Sequence, residues 1–277
     1  MTLRIGQIDY ANCTPIFTML KQHFPGNACQ FIRGVPSYLN ALLAKGEIDL
    51  CPSSSIEYGK SPERYYLLPD LSISSIGPVK SVLLFSRVPL ADLGGYNVGL
   101  TTDSDTSVNL LKILLAKSYG LANTFERTSL PLDEAMKTFS ALLLIGDAAL
   151  RESMKGKVAH VYDLGEEWFR FTGLPFVFAL WIVRKEAAEG KREEVAELLE
   201  NLRAAKRLAY ESYDAIAATC EEQGWMDHDR LIDYWRCISY DLSPWHLQGV
   251  TTFFRHACDM GILPREPVIR LFPDFHD

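Results

Sequence analysis

No CxxC pair, Walker A loop, HExxH pair, GxSxG elbow or helix-opening GxGxxG occurs in the 277 residues. These absences remove the usual signatures of dithiol or structural-zinc chemistry, P-loop nucleotide hydrolysis, zinc proteolysis, α/β-hydrolase acyl transfer and dinucleotide-dependent redox chemistry. Basic residues are in deficit, 28 Lys and Arg against 35 Asp and Glu for a net charge of −7. There is thus no cationic surplus to displace nucleic-acid counterions, although a small anion responds to local field rather than total charge. No apolar run approaches the ~20 residues of a membrane span. Nor does an apolar stretch follow basic residues at the start of the chain, so no secretory leader is expected. A soluble cytoplasmic protein is the expectation, with no nucleic-acid or membrane partner. Cys13, Cys29, Cys51, Cys220, Cys237 and Cys258 lie scattered and read there as free thiols. The histidines His23, His160, His228, His246, His256 and His276 stand apart from any recognisable nucleophile or metal-ligand partner. A dedicated general base and a metal centre are both missing from the pattern.

What is present is an alternation. LRIGQI reads as a strand and TPIFTMLKQHF as a helix starting near Thr14, with Pro15 in its first turn. CQFIRGV is a second strand, and PSYLNALLAKGEI an amphipathic helix opened by Pro36 and closed at Gly46. IDLCP is a third strand, broken at Pro52 by the serines of CPSSSIEY. Such β–α–β–α–β order implies a mostly parallel sheet covered by helices. Further strand–turn–helix units lie in YNVGLTTDSDTSVNLLKILL and ALLLIGDAALRESM, and FVFALWIVRK is apolar enough for a strand buried on both faces. From Lys191 the pattern is helical, with apolar residues three and four apart. Its aromatics suit either packing on the first lobe or a homodimer face. No Gly/Ser- or Pro-rich linker divides the chain. With SVLLFSRVPL and FVFALWIVRK as crossings, residues 1–87 and 178–277 are expected to form a discontinuous first lobe and 88–177 an inserted second lobe. A ligand cleft is expected between them, outside the carboxyl ends of the strands.

Four turns follow strands and are rich in hydroxyls, Gly or an amide: DYANCTP, CPSSSIEY, TTDSDTSV and LIGDAAL; the loop SSIGPVKS leads into a crossing. A helix N-terminus offers unpaired N–H groups and the positive end of a dipole. Several converging ends could hold a carboxylate without many arginines. Taken singly, each turn also reads as an ordinary helix cap, Asp147 included. Asp103 and Asp105 oppose an anion, so part of their turn is expected to face solvent or bind its own backbone.

As an ordered set, IGQIDYANCTPIF, GVPSYLNALLAKGEIDLCPSSSIEY, LLPDLSISSIGPVKSVLLFS, LTTDSDTSVNLLKILL, ALLLIGDAAL, YDLGEEWFRFTGLPFVFALW and YDLSPWHLQGVTTFF resemble the chorismate dehydratase family of the futalosine route to menaquinone. The resemblance implies an α/β, two-lobed fold similar to type II periplasmic solute-binding proteins, with a central cleft and a helical C-terminal segment. It implies a hydro-lyase reaction, chorismate to 3-[(1-carboxyvinyl)oxy]benzoate and water, with neither metal nor organic cofactor. It assigns Asn12 and Ser81 to the reacting centre, Asn12 to orient substrate or assist departure of the hydroxyl and Ser81 to bond a carboxylate. Ser54, Ser55, Thr106, Ser107, Gly146 and Asp147 follow as substrate contacts, and the choice within Ser53–Ser55 stays open. The chain departs from the family at Asp9, usually Ser, at Thr14, often apolar, and at Cys13, more commonly Thr. Three other readings stand beside this one: a non-catalytic solute-binding or sensor protein of the same fold, the related 1,4-dihydroxy-6-naphthoate synthase, and a degenerate homologue silenced by Asp9 and Asp105.

Overall fold

The alternation folds into two five-stranded sheets in a computed structural model that describes residues 2–25 and 29–273. In the first sheet, β1 (Leu3–Ile8) lies parallel between β2 (Cys29–Gly34) and β3 (Leu50–Ser54). The long strands β4 (Tyr65–Ser75) and β10 (Phe176–Arg184) complete it in the order β2-β1-β3-β10-β4, with β10 antiparallel to both its neighbours. In the second, β6 (Asn97–Leu100) runs parallel to β7 (Thr124–Arg127) and β8 (Ala141–Ile145). There β5 (Val82–Ser86) lies antiparallel between β8 and β9 (His160–Asp163), giving β7-β6-β8-β5-β9. Each sheet thus has a parallel trio and one antiparallel strand, β10 or β5, that reaches it directly from a crossing.

The early helices follow their sequence signals. Thr14–His23 has proline in its first turn, and Pro36–Lys45 ends at Gly46, whose φ of 79° supplies the left-handed cap. Two expectations need correction. The strand β3 does not break at Pro52 but continues through it to Ser54, with Pro52 opposite Trp181 of β10. Its pairing with β1 is confined to Leu50, so the proline sits where the ladder is one-sided and a missing N–H is tolerated. Second, β5 pairs in the second sheet, so the first crossing falls in 76–81, ahead of the expected boundary at 87; β10 begins at Phe176, two residues ahead of the other.

The helical tail packs on the first sheet. Helix Arg192–Glu211 lies against β4 and the helix Thr14–His23, and Pro244–Asp259 against β10. The edge of β4 is stitched to the tail by Ser72 N to Tyr240 O (2.9 Å), Ser74 N to Ser239 O (2.9 Å) and an isolated bridge from Leu67 to Leu271. An otherwise open edge is covered in this way. Trp181, Trp235, Tyr240, Phe253 and Phe254 are buried beneath it. Among the described residues no helix is long and apolar enough to cross a membrane.

Candidate active site

The ends of β1, β3 and β8 and the first crossing meet around a cavity of about 50 Å³ between the sheets. Its polar lining is Tyr10, Asn12, Ser54, Ser81, Ser104 and Ser107, with Gly146. Its apolar walls include Ile8, Ile73, Val79, Ile145 and Phe178, and no lining residue carries a formal charge. Four longer helices begin beside it, at Thr14, Pro36, Asp105 and Gly146. Only the one at Asp105 has a side-chain cap, the Ser104 hydroxyl accepting from Ser107 N. The other three start without one. The positive ends at Thr14 and Pro36 therefore lie near a low-dielectric space with no acidic residue in their first turns, an arrangement that favours a bound carboxylate, whereas the helix at Gly146 carries Asp147 in its own first turn.

Asn12 is presented by a loop whose backbone is held on all sides. Trp235 Nε1 donates to Ala11 O (2.7 Å) and Tyr240 OH to Asn12 O (2.8 Å), both from the tail. The amide of Ala11 donates across the cleft to Asp147 Oδ1 (3.0 Å). With the main chain engaged, Asn12 Oδ1 is buried without a partner. An unsatisfied buried amide oxygen costs roughly 1–3 kcal/mol, a cost that a ligand donor in the cavity would remove.

Ser81 is presented from the other side. Val79 N and Lys80 N both donate to the Asp163 carboxylate, Val79 at 3.0 Å to Oδ2 and Lys80 at 2.6 Å to the same oxygen. Asp163 also caps the helix Leu164–Thr172 through Gly165 N and Glu166 N. Burial raises its pKa despite these four donors. Lys80 takes a left-handed φ of 61°, uncommon for a residue with a Cβ, which bends the chain just before Ser81. The Ser81 carbonyl accepts from Gly146 N (2.8 Å), while its hydroxyl has only a long 3.4 Å contact to Val79 O.

Of the other residues read from the sequence, Ser54, Ser107 and Gly146 line the cavity and Ser55, Thr106 and Asp147 do not. Ser53 donates to Asn40 Oδ1 (2.7 Å) and Ser55 to Val177 O (2.6 Å), and Ser54 alone of the three lines the cleft. Thr106 Oγ1 accepts from Ile56 N (3.0 Å), joining the lobes. Asp147 faces a neighbouring depression shared with Asp9, Arg33 and Glu222. Burial pushes its carboxyl up to about 6, against the opposing pull of the Ala11 N–H. Gly146 is irreplaceable on two counts: its φ is +59°, and a Cβ would stand 2.9 Å from the Tyr10 ring.

The two troublesome acids are paired. Asp105 bonds Lys60 (2.7 Å) and Arg127, and Asp9 bonds Arg33 (2.5 Å). Asp103 accepts from Tyr10 OH (3.3 Å), and its carbonyl accepts from Ser37 N (3.1 Å). Of these, the Lys60–Asp105, Tyr10–Asp103 and Ser37–Asp103 contacts join the lobes around the cavity. Each contributes on the order of 0.5–1.5 kcal/mol net, less for the half-exposed ion pairs, so the closed arrangement is reversible. A larger depression of about 750 Å³ lies to one side, but its cations are already engaged, Arg151 over the Trp225 ring at 4.0 Å and Lys155 with Glu152.

The family model for menaquinone biosynthesis matches residues 3–259. The chain belongs to that family. A chorismate dehydratase of Thermus thermophilus is 36% identical over 219 residues, 73% of this chain and 76% of the relative. A chorismate dehydratase of Campylobacter jejuni is 32% identical over 187 residues, 66% and 68% of the two chains. The fold is that of periplasmic binding proteins. The alkanesulfonate-binding protein of Xanthomonas axonopodis, solved with MOPS bound, superposes with a TM-score of 0.71 at 17% identity, covering 97% of this chain and 96% of that one. A protein of Archaeoglobus fulgidus gives 0.75 at 17% identity, covering 95% and 98%. Within this menaquinone biosynthesis protein, the residues not read from the sequence are of two kinds. Ser104 stood in a quoted turn, and its spacing to Ser107 is a cap signal. The anchors Trp235 and Tyr240 carry no local signal, because their partners lie at least 224 residues away, and Asp163 signals only a helix cap, its bond to Lys80 spanning 83 residues.

Proposed function

We propose that this chain is a chorismate dehydratase, a hydro-lyase of menaquinone biosynthesis that converts chorismate to 3-[(1-carboxyvinyl)oxy]benzoate and water. The observation that carries it is the meeting of an unpartnered Asn12 amide oxygen and a weakly bonded Ser81 hydroxyl on one uncharged buried cavity, in a chain 36% identical to a chorismate dehydratase. The proton at chorismate C3 is vinylogously acidic: its removal sends the C–H electron pair through the adjacent double bond toward the ring carboxylate. Loss of hydroxide from C4 then completes the aromatic ring, and hydroxide plus the abstracted proton make water. Preorganised donors at the ring carboxylate stabilise the developing charge, and holding one conformer supplies much of the remainder.

Ser81 Oγ–H and the helix N-termini suit the ring carboxylate, and the Asn12 amide suits the departing hydroxyl. No lining side chain is a ready base, and the Tyr10 phenol is held protonated by burial and by Asp103. The substrate's own enolpyruvyl carboxylate is therefore the proton acceptor in this scheme. A cavity of about 50 Å³ is far below the ~300 Å³ of an ordinary small-molecule pocket. Substrate entry then requires the lobes to part and reclose.

Purified protein incubated with chorismate should yield an aromatic product lighter by one water, followed by liquid chromatography with mass detection. Ser81→Ala and Asn12→Ala should each lower kcat by about 10²–10³-fold, the usual scale for one transition-state donor. Intact chorismate with saturable binding would replace this function with a sensor role, and neither turnover nor binding would redirect the search to naphthoate precursors. Deuterium at C3 should slow turnover where chemistry limits the rate.

A further inference from the structure

Helix His228–Trp235 places two consecutive aromatics in the wall behind the site. Trp235 reaches the Asn12 loop. Tyr234, its neighbour, is 1% exposed, and its hydroxyl is buried with no hydrogen-bond partner. Burial acts most strongly on that hydroxyl, followed by the Ser81 side chain and then by Asp147, Cys13 and Cys237. The same turn of helix is tied to the residue before Ser81, because Lys80 Nζ donates to Asp233 O (3.2 Å). Tyr234 also shares a depression with Lys80, Leu150 and Asp163, so it stands against the outer side of the Ser81 loop.

A phenol buried without a partner costs folding free energy, whereas phenylalanine would fill the same space without that penalty. The hydroxyl therefore adds little to folding by itself. Ser81 has a hydroxyl with one donor and two acceptor sites and only the 3.4 Å contact to occupy it. Tyr234 brings one poorly satisfied hydroxyl to the Ser81 side of the wall, and Ser81, in the cavity lining, carries another; the two are the parts of a relay that substrate would complete.

We propose that Tyr234 is a positioning residue for Ser81: its phenolic O–H donates to Ser81 Oγ and turns the serine's own proton toward the anionic end of the substrate. This rests on the dehydratase reading of the same site. A hydroxyl that accepts one bond donates the next more strongly, so the pair is worth more than either member alone. Burial keeps the phenol protonated, so Tyr234 acts as a donor and takes no proton from the substrate.

The test is a double-mutant cycle on the full chain, with kcat, KM and melting temperature measured on chorismate for wild type, Tyr234→Phe, Ser81→Ala and the double variant. Tyr234→Phe should lower kcat about tenfold, near the net worth of one hydrogen bond, with KM little changed and no fall in melting temperature. On the Ser81→Ala background the same change should cost nothing further. Wild-type kcat in Tyr234→Phe, or a loss that multiplies with that of Ser81→Ala, would overturn the proposal while leaving the dehydratase reading intact. A wild-type protein that makes no product from chorismate would overturn the reading itself, and this proposal with it. Tyr234→Met, smaller but flexible enough to fill the space and also lacking the hydroxyl, takes the same place in the cycle should Tyr234→Phe fail to fold.

Discussion

The loop bearing Asn12 is held chiefly by its carbonyls, and the loop bearing Ser81 by its amides. On the first, neutral donors from the tail, Trp235 and Tyr240, grip Ala11 O and Asn12 O. On the second, a single carboxylate, Asp163, accepts from Val79 and Lys80 and also caps the helix that follows it. The carbonyl grip is distributed and insensitive to pH; the amide grip is concentrated in one titratable group. Both leave the presented side chain free, because the backbone around it is already satisfied. A site assembled this way can keep an unsatisfied amide and hydroxyl in place without letting them relax onto their own chain.

The comparison breaks most sharply at Asp163. Asp163→Ala strips four N–H groups of their acceptor, so unfolding free energy should fall by roughly 3 kcal/mol or more, at about 1 kcal/mol for a lost cap plus the orphaned loop amides. Turnover should fall with it; urea unfolding and chorismate kinetics read the two effects. Unchanged stability would mean that Asp163 is not what holds the Ser81 loop. Tyr240→Phe removes one donor from the distributed grip and should cost only about 1 kcal/mol, with a several-fold loss of kcat. A loss as large as that at Asp163 would erase the distinction.

Asp147, which accepts from the Ala11 amide, adds one titratable contact to the Asn12 loop beside its pH-insensitive carbonyl grip. Its folded-state pKa of about 6 lies above the ordinary carboxylate value, so the folded protein binds the proton more tightly than the unfolded chain. This contribution to stability is therefore present at low pH, declines from about pH 4 to about pH 6, and is flat above. Asp147→Asn keeps an acceptor for Ala11 N–H and should remove that slope, seen as the difference between wild-type and variant unfolding curves across pH. A slope retained in the variant would place its origin elsewhere. The smallest effect is expected from Lys60→Met, which frees Asp105 from one of its two cations: below about 1 kcal/mol, with a modest, salt-dependent rise in KM.

The parallel trio of the first sheet and the capping of its helices could be read from the sequence because their signals are local, whereas Asn12 and Ser81 are singled out by the resemblance of the whole ordered set of motifs and by no signal of their own. Strand alternation, Pro15 and Gly46 each act within a turn or two. The membership of β5 could not, since an apolar VLLFS pairs equally well in either sheet and only β8 and β9 decide it. Pro52 misled for the same reason: whether proline ends a strand depends on which side of it has a partner. Ser53, Ser54 and Ser55 are identical as letters, and their roles separate only once Asn40 and Val177 arrive to take two of them. Asp147 looked like a ligand contact or a cap; its bond to Ala11 spans 136 residues, a distance no motif covers.

One feature of the topology bears on the order of events in a catalytic cycle. The chain passes between the sheets at 76–81 and again between Thr172 and Phe176, and Ser81 sits within the first passage. In a rotation of one lobe about an axis through those two passages, points near the axis travel least. Ser81 would be a pivot, nearly stationary, while Ser107 and Gly146 swing through an arc. A substrate could then dock one carboxylate on the pivot in an open jaw and meet its remaining contacts only as the jaw shuts, so that capture precedes alignment.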